Sequence, residues 1–144
     1  MAKDHVRDYA TEAFRFYAKS GGLKNYIRDL TADLQKQKGS GTISPTEGAI
    51  VAKERMMEEK AAELADLEAV ERTMHILTGI TAGKEIRQAI EYVYFYDCWK
   101  DLQRGDIEAR VHYAELHIPA SRRQIYRWLK RARMIFAEER GLRI

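Results

Sequence analysis

The sequence predicts an all-α protein of about six helices: an N-terminal helical hairpin, one long helix, and a C-terminal bundle presenting a helix-turn-helix. Three observations predict it. Ala, Leu, Glu, Lys, Arg and Gln dominate, and these residues lose little on entering a helix. Only two prolines and nine glycines occur, and most sit in clusters that read as breaks between elements. No segment alternates apolar and polar side chains for long enough to argue a strand.

Length and composition exclude several classes. A chain of 144 residues reads as one domain. It buries roughly 70% of the surface its unfolded form exposes, so it needs no disulfide or metal to fold. With 45% hydrophobic residues it is not intrinsically disordered. Cys98 is the one cysteine, which excludes an intramolecular disulfide and a multi-cysteine zinc site. Lys3, Asp4, Arg7, Asp8, Glu12 and Arg15 leave no room for the apolar core of a signal peptide. No apolar run approaches the roughly 20 residues that span a bilayer. A soluble, cytoplasmic chain with no membrane partner is expected.

The first helix covers residues 4–19, with Val6, Tyr9, Ala10, Ala13, Phe14 and Tyr17 at helical spacing and Ser20-Gly21-Gly22 as its stop. The second covers 23–37, with Leu23, Ile27, Leu30 and Leu34 on one face. Gly39-Ser40-Gly41 is a flexible break, so residues 1–45 form a hairpin and loop. Ser44-Pro45-Thr46-Glu47 is a capping box with proline at the first helical position. It opens a long third helix that runs without a break to Leu77, inside a connecting segment of 46–80. Leu67, Val70, Met74 and Leu77 repeat at 3–4–3 spacing. Residues 46–77 are therefore a candidate homodimer helix, although the stripe is shorter than the heptad run of a coiled coil and suits packing within its own domain.

Thr78-Gly79-Ile80-Thr81 turns the chain into a fourth helix, 82–103, with apolar residues nearly all round it. Such a helix belongs at the centre of a bundle. Ile86, Ala89, Ile90 and Val93 take one side, and Tyr92, Phe95, Tyr96 and Trp99 another. Core packing accounts for that aromatic stripe more simply than base stacking does. Cys98, beside it, reads as inert core. A DNA-binding domain over 81–144 is completed by a short helix at 107–117, the turn Ile118-Pro119-Ala120 and a last helix reaching Arg140. Ser121-Arg122-Arg123-Gln124 is a second capping box, and Gly141 a terminator.

Charge concentrates in that final stretch. Residues 104–144 hold ten basic and five acidic side chains, against fifteen and seventeen before them. Between Ser121 and Phe136 there are six basic residues and no acidic one. At about 100° per residue, Ile125, Trp128, Leu129, Ala132, Ile135 and Phe136 share one face. Arg123, Arg127, Lys130 and Met134 lie opposite, flanked by Tyr126, Arg131 and Arg133.

An amphipathic helix charged only with cations, preceded by a short helix and tight turn, suits double-stranded DNA. Arg122, Arg123, Gln124, Tyr126 and Arg127 are the candidate base readers, since Arg pairs with guanine and Gln with adenine. Ser121, Lys130, Arg131 and Arg133 are the candidate phosphate contacts, with the helix N-terminal amides beside them. The bland reading is a solvated cationic face.

Ala114-Glu115-Leu116-His117-Ile118, followed by the run from Ser121 to Arg133, resembles the fourth region of bacterial sigma factors. Residues 67–74 (LEAVERTM) and the ending Arg140-Gly141-Leu142 add a resemblance to the small RinA/ArpU-type transcriptional regulators of phages and integrated elements. The resemblance covers about half of the chain. It implies a transcriptional regulator, an activator working with host RNA polymerase, whose residues just after the capping Ser121 enter the major groove of the promoter. Two features depart from the sigma pattern. The turn is longer, with both Pro119 and Ala120 before Ser121, and His117 stands where that family has a glycine of positive φ.

No enzyme is expected. His5, His75, His112 and His117 lack zinc-ligand spacing, and there is no phosphate-binding glycine loop or dinucleotide fingerprint. Asp66, Glu68 and Glu71 read as a solvated face. No cofactor or metal is implied. Two other readings accommodate the same pattern: a phage small terminase subunit, and an anti-sigma or polymerase-binding module that never touches DNA.

Overall fold

The computed structural model describes residues 4–37 and 45–143. These are all-helical: α1 (His5–Ser20), α2 (Leu23–Gln37), α3 (Pro45–Glu59), α4 (Ala61–Leu77), α5 (Gly83–Ile90), a π-helical turn (Glu91–Phe95), α6 (Asp106–Glu115) and α7 (Arg122–Arg140). The Gly39-Ser40-Gly41 break and the hydrogen bonds of the Ser44 capping box lie outside the described residues.

Helix ends follow the sequence signals. Asp4 caps α1, its side chain accepting from the Arg7 amide at 2.9 Å. Gly21 ends α1 at φ 76°, with the Gly21 and Gly22 amides donating back to Ala18 and Tyr17. A cap from outside the helix starts α2: the Leu23 amide donates to Glu71 of α4 at 3.1 Å. Glu71 is thus more than a solvated charge.

One apolar cluster holds the molecule together. Ala10, Ala13 and Phe14 of α1, Val70 and Leu77 of α4, and Ile86, Ile90 and Val93 around α5 are buried with Ile125, Leu129 and Phe136 of α7. Phe14 sits between Tyr94 and Phe136, its ring 5.6 Å and 5.7 Å from theirs. Burying each such ring contributes about 2–3 kcal/mol. Because α1 supplies part of this cluster, the boundary at residue 45 does not separate two cores. Polar ties reinforce the packing. Asp66 accepts from Tyr9 Oη at 2.6 Å and from Arg140 Nε at 2.7 Å, joining α1, α4 and α7.

Two expected helices are interrupted. The long helix bends at Lys60, which stands at φ −103° and ψ 15° between α3 and α4. Backbone hydrogen bonds continue through the bend, from Lys60 to Met56 and from Leu64 to Lys60. α4 then packs against α1 and α7, while α3 packs on α2 and α4.

The expected 82–103 helix instead ends early. It passes into the π-helical turn, becomes extended at Tyr96, and reaches φ 48° at Asp97. Two arginines from elsewhere collect the freed carbonyls. Arg110 of α6 donates to Val93 at 3.1 Å, to Tyr96, and to Asp97 at 3.3 Å. Arg15 of α1, only 1% exposed, donates to Cys98 at 3.3 Å and to Lys100. Burial, followed by the charge of Arg15, holds Arg110 below the ordinary arginine pKa.

The aromatic stripe is divided by this ending. Phe95 packs on Tyr17 and Tyr92 stacks on His117, whereas Tyr96 is 60% exposed and Trp99 76% exposed. Cys98 is buried, as expected.

Candidate nucleic-acid interface

α6 and α7 are joined by the turn at residues 116–120 and pack against each other. The longer turn closes neatly. The Ala120 amide donates to the Ile118 carbonyl at 2.7 Å, a three-residue turn about Pro119, while Ile118 itself is buried. His117 does not take a positive φ: among non-glycine residues described, only Ala82 and Asp97 do. Its imidazole lies 4.5 Å from the Tyr113 ring and 5.3 Å from Tyr92, so aromatic packing holds it in the turn.

Ser121 caps α7, its hydroxyl accepting from the Gln124 amide at 3.2 Å. The Ile125 amide is the first to close an α-helical bond, to the Ser121 carbonyl. The Arg122 and Arg123 amides therefore point out of the helix start without intrahelical partners. No acidic residue occupies the first turn. An anion is favoured at such an end.

From this start, the outward face of α7 is cationic. Ile125, Leu129, Ala132 and Phe136 face the core. Arg122, Arg123, Tyr126, Arg127 and Lys130 line a shallow surface depression of about 610 Å³. Arg123, Arg127 and Lys130 are exposed, as is Arg131 beside them. None of these four makes a side-chain hydrogen bond or ion pair with a described residue. Tyr126 contributes its ring to the depression, and burial and then Glu108 raise its phenol above the ordinary tyrosine value.

The remaining expected site residues are placed differently. Arg122 is held back toward α6: its Nε donates to Glu115 Oε1 at 3.0 Å, and its Nη2 meets His112 Nδ1 at 3.2 Å. Gln124 is half-buried. Arg133, expected beside Lys130, is turned away from the outward face. It is half-buried and donates to Tyr94 Oη at 2.9 Å. Helical geometry explains this, because three residues from Lys130 to Arg133 rotate the side chain about 60° toward the core side.

Arg133 borders a second groove, of about 660 Å³, between α1, the segment before α6, and α7. Arg7 and Arg104 line it as well, and Tyr126 lines both depressions. Arg7 and Arg104 are far apart in sequence and belong to no local motif, so only the fold brings them beside α7.

No family model, curated protein or solved structure matches this chain. Among the described residues no cluster of His, Cys, Asp and Glu is arranged to hold a metal ion, and no helix is long and apolar enough to cross a membrane.

Proposed function

We propose that this chain is a sequence-specific double-stranded DNA-binding transcriptional regulator of phage or mobile-element type, an activator acting with host RNA polymerase. One observation carries the DNA reading: Arg123, Arg127, Lys130 and Arg131 are exposed, and pair with no described residue, on the outward side of a capped helix that follows a short helix and tight turn. Unpaired cations on one rigid face cost little to bring against a polyanion, and each phosphate they neutralise releases counterions. The polymerase contact rests on the resemblance to sigma region four.

In this reading the first turns of α7 enter the major groove. Arg123 and Arg127 meet base edges, with Tyr126 offering ring contact and Gln124 at the margin. Lys130 and Arg131 take phosphates, as do the open amides beside Ser121. Arg122 braces α7 against α6. The helical region of 46–77 supplies spacing or a homodimer contact. Ile50 and Val51 are exposed on α3 and favour an assembled form. Solution size separates the assemblies: a dimer suits a regulator reading two half-sites, and a large ring suits a small terminase subunit.

The experiment is selection of duplexes from a random pool by the full chain, followed by sequencing. A recurrent motif supports a sequence-specific regulator. Retention of duplexes without any motif contradicts specificity, and retention of none contradicts DNA binding.

A further inference from the structure

The cationic face of α7 does not end at α7. Tyr126 forms part of its depression and also part of the neighbouring groove, so the two border each other at that side chain. The groove is built from three places in the chain: Arg7 on α1, Gln103 and Arg104 ahead of α6, and Arg133 on α7. Leu102, Ile107 and Leu129 give it an apolar floor. Guanidinium groups above an apolar floor suit a sugar-phosphate strand, whose phosphates take the charges and whose sugars take the floor.

Resting on the DNA reading above, we propose that this groove is a second contact for duplex DNA, in which Arg7, Arg104 and Arg133 hold phosphates of one strand leaving α7.

The local bonding supports this assignment. Arg104 is exposed and makes no hydrogen bond or ion pair with a described residue. Its segment is nonetheless fixed, because the Gln103 amide donates to Asp106 Oδ2 at 2.7 Å. Among the described residues the Arg7 side chain meets only its neighbour Asp8, at 3.4 Å, with both side chains more than half exposed. Such a pair is worth little and yields readily to a phosphate. Arg133 is oriented toward the groove by Tyr94. Opposing them on the α1 wall, besides Asp8, is Glu12, with no cation within ion-pair distance among the described residues. Its charge limits the affinity of the groove.

The test uses the full chain and a labelled random-sequence duplex of about 30 bp, long enough to leave α7 for roughly three helical turns. Binding is followed by anisotropy across salt. Arg104→Ala is expected to reduce the slope of log K against log salt by about 0.9, and Arg7→Ala with Arg104→Ala by about twice that. Glu12→Gln is expected to tighten binding several-fold. Lys24→Ala, an exposed lysine of α2 outside the groove, is the control and leaves the slope unchanged. Thermal melting confirms that each variant folds. A wild-type slope in Arg104→Ala, alongside a reduced slope in Lys130→Ala, overturns the groove and leaves the α7 reading standing. Absence of wild-type binding at low salt overturns both.

Discussion

Arg122 at the start of α7 donates to Glu115 at the end of α6, 3.0 Å away, and so bridges the turn between the two helices. The same guanidinium meets His112 Nδ1 on the preceding turn of α6. An arginine expected to read bases is therefore committed within the protein. Removing Glu115 should release it. Glu115→Gln is predicted to change stability by less than about 1 kcal/mol, as for other partly exposed ion pairs. It should also increase the salt slope for a random duplex by about 0.9, as the freed Arg122 takes a phosphate. Melting curves and anisotropy titrations check both values. An unchanged slope would mean that Arg122 stays with α6.

Arg123 and Lys130 should separate specificity from affinity. Arg123 lies nearer the helix start that enters the groove, and Lys130 two turns further on. Arg123→Ala is predicted to cost about 1–3 kcal/mol on the selected motif and to relax base preference. Lys130→Ala should weaken all duplexes alike and flatten the salt slope by about 0.9. Paired titrations with selected and random duplexes measure this. Equal losses on both duplexes for both variants would contradict the division of roles.

Gly83 is required by close packing. A Cβ built there would lie 1.6 Å from the Leu77 carbonyl oxygen, a backbone atom with no rotamer to yield. Gly83→Ala should destabilise the fold by about 3 kcal/mol or more, through a shift of α5 against α4. Denaturant unfolding reads this directly. Gly105→Ala is the comparison: its Cβ would meet nothing within 4 Å, although φ is 88°, so its cost is confined to backbone strain of about 1–2 kcal/mol.

Tyr9 gives the fold a pH limit on the alkaline side. Burial first, and then its hydrogen bond to Asp66, raise its pKa above the ordinary tyrosine value of about 10. The neutral phenol is the form the fold favours. Its contribution is complete below the unfolded pKa and is lost as pH rises through the folded one. Stability should therefore fall above about pH 10, and Tyr9→Phe should soften that fall while costing some stability at neutral pH. Melting temperature against pH for both proteins tests it. Identical alkaline limbs would exclude Tyr9 as a contributor.

Much of this architecture is legible in the sequence because local rules and the fold agree. The Gly21 and Gly141 stops, the Ser121 cap and the Ile125–Leu129–Phe136 core face follow from short-range chemistry. The breaks at Lys60 and Tyr96 do not. Neither carries glycine or proline, and the second is held by Arg15 and Arg110, which reach it from distant helices. Helical periodicity likewise finds the outward position of Arg123, Arg127 and Lys130. It does not find the Arg122–Glu115 pair, the rotation of Arg133 onto Tyr94, or the meeting of Arg7 with Arg104. Those depend on which helices the core sets side by side.

The most direct measurement is anisotropy of a labelled random duplex across roughly 50–300 mM salt, for the wild-type chain and for a variant with Arg123, Arg127, Lys130 and Arg131 all changed to alanine. These four side chains are exposed and pair with no described residue, so the variant should keep its melting temperature. Wild-type affinity should fall by several powers of ten per tenfold rise in salt, and the variant should lose most of its affinity with a slope smaller by about 1.8, for the two phosphate contacts of Lys130 and Arg131. Equal binding by the two proteins, or none by the wild type at the lowest salt, would contradict the assignment of α7 as a DNA-binding helix.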